Sequence, residues 1–94
     1  MEIKVKRLIE GEFISRELLL IKVHCAAAKR FELLKIAELT GAKVVDVAVS
    51  TITLEYCETA EKIATLIDLV KPYGIREIVR TGTIAIDKGK ASVG

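Results

Sequence analysis

The chain reads as an α+β domain: one antiparallel sheet with two helices on one face. Three observations predict it. Apolar residues alternate with period two in three stretches, and less regularly in a fourth, while two further stretches carry them at helical spacing. The stretches follow one another as strand, helix, strand, strand, helix, strand. The connection at Ser50-Thr51 is tight, so the strands it joins pair antiparallel. Two strand–helix–strand units interleave naturally into a ferredoxin-like βαββαβ sandwich.

Each element has its own signal. Residues 1–11 read as a linker or a short edge strand: Ile3 and Val5 alternate with Lys4 and Lys6, and Glu10-Gly11-Glu12 turns. The domain proper is expected over 12–87 and a frayed tail over 88–94. Leu18–His24 is a strand with Leu19, Ile21 and Val23 on one face. Leucines near the start of both faces make it central, or covered on its second side. Lys29–Thr40 is a helix whose stripe is Leu33, Ile36, Ala37 and Thr40, widened by Phe31 and Leu34. Gly41 stands where a left-handed C-terminal cap is needed.

Lys43–Val49 is the next strand, with Val45, Val47 and Val49 toward the core and Val44, Asp46 and Ala48 away from it. Thr51–Tyr56 follows, with Ile52, Leu54 and Tyr56 inward. Thr59–Val70 is the second helix, striped by Ile63, Leu66, Ile67 and Val70. Thr59 caps its free N–H groups, Glu61 suits the positive end of the helix dipole, and Pro72 stops it by disfavouring helical geometry at Lys71. Ile75–Thr81 is the last strong strand, with Ile75 and Val79 on one side and Ile78 on the other. Gly82 breaks it, and Thr83–Ile86 continues after a bulge. One sheet face is thereby left open, with Leu18, Leu20, Val44 and Ala48 on it, and such a face invites a partner.

Composition narrows the function classes. At 94 residues, 51% hydrophobic and 30% charged, the chain holds one core inside a soluble surface. Its net charge of +2 is spread without a single-sign run, so no nucleic-acid footprint is visible. No apolar run approaches the roughly 20 residues that span a bilayer, and the first residues lack a signal peptide's apolar centre. The expected location is the cytoplasm, where Cys25 and Cys57 stay reduced. Asn and Gln are both absent, a lean toward a thermophilic source.

No residue set predicts chemistry. His24 and Cys25 are adjacent on a strand and point to opposite faces, so they cannot share a metal. The cysteines lack a CxxC spacing, and the glycines form no phosphate-binding loop. Asp46, Glu55 and Glu58 read as solvated charges. The four aromatic residues do not fit an RNA-binding sheet face. No catalytic residue, cofactor or metal is therefore expected. The remaining arginines are strand-end charges or, alternatively, Arg16, Glu17 and Arg80 form an interface cluster, because guanidinium forks recognise carboxylates.

A family resemblance bears on that choice. Phe13, Arg16-Glu17-Leu18, Ile21-Lys22-Val23, Ala37-Glu38, Gly41-Ala42, Val44-Val45-Asp46-Val47, Pro72-Tyr73-Gly74-Ile75, Glu77 and Val79-Arg80-Thr81-Gly82 stand in this order and spacing. Over about residues 12–87 they resemble the C-terminal domain of the small, regulatory subunit of acetolactate synthase. The resemblance implies a non-catalytic domain in branched-chain amino acid biosynthesis. Its partner would be the large catalytic subunit, which carries thiamine diphosphate, magnesium and FAD. It also implies that feedback by valine belongs to a separate ACT domain preceding this one, so valine sensing is not carried over. The chain is then an excised domain or a short stand-alone version. The expected partner interface, toward the catalytic subunit or toward further copies in a homo-oligomer, is Arg16, Glu17, Leu18, Leu20, Arg80 and Thr81. The alternative is a stand-alone oligomeric sensor of small molecules such as amino acids. A thermal-shift response to valine, leucine or isoleucine would distinguish it.

Overall fold

The computed structural model describes residues 13–89. The expectations for residues 1–12 and 90–94 lie outside the described residues. The strands are β1 (Phe13–His24), β2 (Lys43–Val47), β3 (Thr51–Glu58), β4 (Ile75–Arg80) and β5 (Ile84–Asp87). The helices are α1 (Arg30–Thr40) and α2 (Ala60–Val70), with single 3₁₀ turns at Ala27–Lys29 and Lys71–Tyr73. The sheet runs β2-β3-β1-β4, all neighbours antiparallel, and β5 pairs with the first residues of β1. This is the ferredoxin-like order, with β1 central as its two leucine-bearing faces predicted.

β1 is 12 residues long, twice the usual strand, because β4 and β5 together line it. β4 pairs with Leu19–Val23, Thr81 with Leu18, and β5 with Phe13–Arg16. Gly82, at φ 84°, supplies the bend between them. The continuation expected beyond Gly82 is therefore present, as Ile84–Asp87.

The core lies between the sheet and the helices. β1 contributes Leu19, Ile21 and Val23, β3 contributes Ile52, Leu54 and Tyr56, and the helices contribute Leu33, Ala37, Ile63, Leu66 and Val70. Each large aliphatic side chain buried here is worth about 1.5–3 kcal/mol relative to exposure. Tyr56 donates its hydroxyl to Thr40 O at 2.9 Å, so its phenol is buried without an orphaned polar atom, and burial pushes its pKa up. Arg30 donates to the carbonyls of Val49 (3.1 Å) and Ala48 (3.4 Å), tying the start of α1 to the β2–β3 turn.

The caps act largely as the residues dictate. Thr59 accepts from Lys62 N at 3.4 Å, and Gly41 closes α1 in the left-handed region at φ 86°. A β-carbon at Gly41 would meet nothing within 4 Å, so only backbone strain opposes substitution. Gly41→Ala is expected to cost about 1 kcal/mol in urea unfolding; an unchanged midpoint would show that α1 can end another way. Pro72 behaves differently from expectation. α2 ends at Val70, but Lys71 keeps helical dihedrals and Pro72 sits inside a 3₁₀ turn, near whose start its missing N–H leaves no bond unmade.

Three further sequence expectations fail, each for a local reason. β2 starts in the opposite phase: Val44, opposite Leu54, packs against the core and Val45 is exposed; past the register shift Val47 lies opposite the inward Ile52 but stays half exposed, and Val49 is 92% exposed. A register shift between Val44 and Asp46 breaks the alternation, and the strand stops at Val47. Val44 therefore leaves the open face, and Ala48 lies past the end of the strand. Phe31 does not widen the buried stripe of α1, since it is 87% exposed. In β4, Ile75 pairs with Val23 and Ile78 with Ile21, so these two share the helix side and Val79 faces away. The bulge between Lys22 and Val23 that accommodates Arg76 makes the alternation look irregular.

Candidate functional site

The period of the central strand builds the site. Leu19, Ile21 and Val23 go under the helices, so Ile14, Arg16, Leu18, Leu20 and Lys22 go to the opposite face. Register places Cys57 beside Leu18, Glu55 and Val79 beside Leu20, Ile84 beside Arg16 and Ile86 beside Ile14. Among the described residues this face has no covering layer. Ile14, Leu18, Leu20, Val79, Ile84 and Ile86 are all exposed on it. An apolar groove of about 270 Å³ runs along its β5 end, lined by Ile14, Arg16, Ile84, Ala85 and Ile86. The apolar band ends in charge: Lys22 and Glu77, paired at 3.3 Å, close it beyond Leu20 and Val79. Both are solvated, so this pair contributes little stability.

Beneath the band lies a brace. Glu17 has the parity of the core residues and is only 4% exposed. Arg80 holds it with a bidentate fork, Nη2 to Oε1 at 2.7 Å and Nε to Oε2 at 3.0 Å. The Arg80 hydrogen bonds lower the Glu17 pKa, helped by the charge of Arg80 and by a backbone N–H at Gly82, against the opposing effect of burial. The same contact raises the Arg80 pKa. Thr81 adds two clasps: its N–H donates to Leu18 O at 3.1 Å, and its hydroxyl accepts from Leu18 N at 3.0 Å. Both fasten β4 to β1 at the bend before β5.

The six residues singled out in the sequence thus divide by role. Arg16, Leu18 and Leu20 lie on the open face, and Thr81 binds the backbone beside it. Glu17 and Arg80 meet each other on the helix side and stabilise the strand pair. Arg16 does not join them; its Nη1 donates to Ser15 O at 2.6 Å. Sequence reasoning missed the β5 isoleucines and Val79, whose only signal was period-two spacing across the Gly82 break. It also missed Arg76 Nη2 donating to His24 Nδ1 at 3.0 Å, which a bulge brings about and periodicity cannot show.

Among the described residues no group of three His, Cys, Asp or Glu side chains could hold a metal ion. Cys25 is buried and Cys57 exposed, both as free thiols. No described helix is long and apolar enough to cross a membrane. What the arrangement can do is present a rigid, largely apolar surface with a charged rim.

Comparison with known proteins gives this surface a family context. Residues 16–89 match the family described as the small subunit of acetolactate synthase. The chain is 44% identical over 87 residues to the acetolactate synthase small subunit of Bacillus subtilis, covering 93% of this chain and 51% of that one. It is 42% identical over 85 residues to the Aquifex aeolicus small subunit, covering 89% of this chain and 44% of that one. The crystal structure of the acetolactate synthase small subunit from Thermotoga maritima superposes with a TM-score of 0.79 at 27% identity, over 86% of this chain and 50% of that one. The chain spans about half the length of the curated relatives it matches.

Proposed function

The chain belongs to the family of acetolactate synthase small subunits, and from that membership we propose that it is a non-catalytic regulatory domain that docks on the catalytic subunit of the synthase in the cytoplasm. The reaction and its cofactors belong to that larger subunit; this domain contributes binding surface. The single observation that carries the reading is the uncovered apolar face on the central strand. A monomer gains nothing from exposing Leu18, Leu20, Val79 and three isoleucines together. The working residues of the interface are Arg16, Leu18, Leu20 and Thr81, with Glu17 and Arg80 holding the strands beneath them.

Calorimetric titration of the catalytic subunit from the same source tests this. Leu20→Glu places a charge in the middle of the apolar band without touching the core, and Arg16→Glu reverses the rim. Each is expected to weaken association by about tenfold or more, the equivalent of about 1.4 kcal/mol. Unchanged affinity in both variants, with unchanged circular dichroism, would sink the assignment of this face.

A further inference from the structure

We propose that β5 and the first residues of β1 form a docking arm that grips a segment of the catalytic subunit carrying an apolar side chain next to a carboxylate; this rests on the docking role of the domain. The arm begins where the layered part of the domain ends. β3 stops at Glu58, opposite Glu17, and β4 stops at Arg80, opposite Leu19. Beyond them, residues 13–16 and Ile84–Asp87 form a ribbon of two strands. No residue of either stretch belongs to the core cluster. A two-stranded ribbon alone is marginal in water, and a further packed element is what completes it.

The side chains of the arm define that element. Register and alternation bring Ile14, Arg16, Ile84 and Ile86 to one face. Ile84 and Ile86 are 72% and 69% exposed, almost twice as much as Leu18 and Leu20 at 37% and 38%. Burial against a partner therefore gains most at the arm, not at the centre of the face. The groove that these isoleucines line with Arg16 and Ala85 holds about 270 Å³, below the range of pockets that enclose a drug-sized ligand. Side chains of a protein segment suit it better.

Arg16 sets the second requirement. Its Nη1 donates to Ser15 O at 2.6 Å, and no described carboxylate pairs with it. Arg80 and Lys22 differ, having Glu17 and Glu77. A guanidinium on the wall of an apolar groove, with most of its donors unspent, is a fork for a carboxylate. Once a partner closes the groove to water, a charge without a counter-ion is costly, so the partner must bring one. The arm thus selects an acidic residue beside an aliphatic or aromatic one.

The test titrates the catalytic subunit from the same source with the full chain. Ile84→Ser combined with Ile86→Ser strips the groove and leaves every core residue in place. It is expected to raise the dissociation constant by about 100-fold. Arg16→Gln should raise it by about tenfold and flatten its dependence on salt. Arg16→Lys should recover only part, because an ammonium cannot match the fork. Hydrogen exchange gives a readout separate from affinity. The amides of Ile84–Asp87 should exchange quickly in the free chain and slowly in the complex, while those of residues 19–23 stay slow in both. Circular dichroism of the double variant should match wild type, and the Arg16 variants and exchange decide independently of it. Wild-type affinity in the double variant, an unaltered salt dependence in Arg16→Gln, full recovery by Arg16→Lys, or an arm already protected in the free chain overturns the proposal. Where wild type binds and one of these results appears, the docking role stands and only the arm fails. A wild type without affinity for the catalytic subunit sinks the docking role, and the arm with it.

Discussion

Ile21→Ala is expected to destabilise the domain by about 2–5 kcal/mol in urea unfolding, whereas Leu20→Ala, one residue earlier, should change stability by no more than about 0.5 kcal/mol. Both are aliphatic residues on the same strand, and a helix- or strand-propensity argument would not separate them. Burial does. Ile21 is completely buried between β3, β4 and the helices, so truncation removes its transfer free energy and leaves a cavity. Leu20 faces outward beside Glu55 and Val79 and leaves no void when shortened. A chain of 94 residues is stable by about 5–14 kcal/mol, so the first substitution removes a large share of the total. Comparable losses at both positions would mean that the open face is packed in the isolated chain. The same measurement therefore checks the premise of the interface.

Arg80→Ala is expected to lower stability strongly at neutral pH and much less in acid. Removing the guanidinium takes the bidentate partner from a Glu17 carboxylate that is 4% exposed in the intact protein, and a carboxylate there without its counter-charge is a costly feature. In the intact protein Glu17 has a folded pKa below its ordinary value of 4.5, chiefly through the Arg80 hydrogen bonds. The unfolded chain therefore takes up the proton first. The stability from this pair is fully present above pH 4.5 and is lost as pH falls through the lowered folded value. Glu32, held down by the Tyr73 hydroxyl at 2.7 Å and then by Lys29, acts in the same direction. Without Arg80 the hydrogen bonds that chiefly hold the Glu17 pKa down are gone, so less of the remaining stability is lost on acidification. Urea unfolding of both proteins at neutral pH and near pH 4 reads the difference. Equal destabilisation at the two pH values would show that Arg80 acts through packing alone. Glu17→Gln in the Arg80→Ala background should restore part of the loss at neutral pH, because an amide needs no counter-charge.

Most of the fold was legible because its signals are local. The β1 and β3 inward residues follow from period-two alternation, since both strands run unbroken through the centre of the sheet. The α2 stripe and the Gly41 cap follow from spacing and from backbone sterics. Failures gathered at irregularities. One extra residue in β2 brings Val44 and Val47 to the same side, and one in β4 does so for Ile75 and Ile78. Phe31 looked like core because helical spacing cannot say how wide a face the sheet covers. The site was half legible: Arg16, Leu18 and Leu20 lie on the face expected to be open. Glu17 and Arg80 were expected with Arg16 in an interface cluster, not as an internal pair, because parity along β1 was not applied to its charged residues.

By itself the sequence determined the order of elements, the central strand and the buried partners of its odd-numbered residues, because alternation and capping depend on neighbours a few positions apart. The tertiary structure alone decided which residues flank the even-numbered ones on the face expected to be open. It also decided that β4 and β5 line one long strand and that Glu17 and Arg80, 63 residues apart, pair on the helix side without Arg16. Those outcomes depend on registers between distant strands, and a single bulge resets a register without leaving a mark in composition or period.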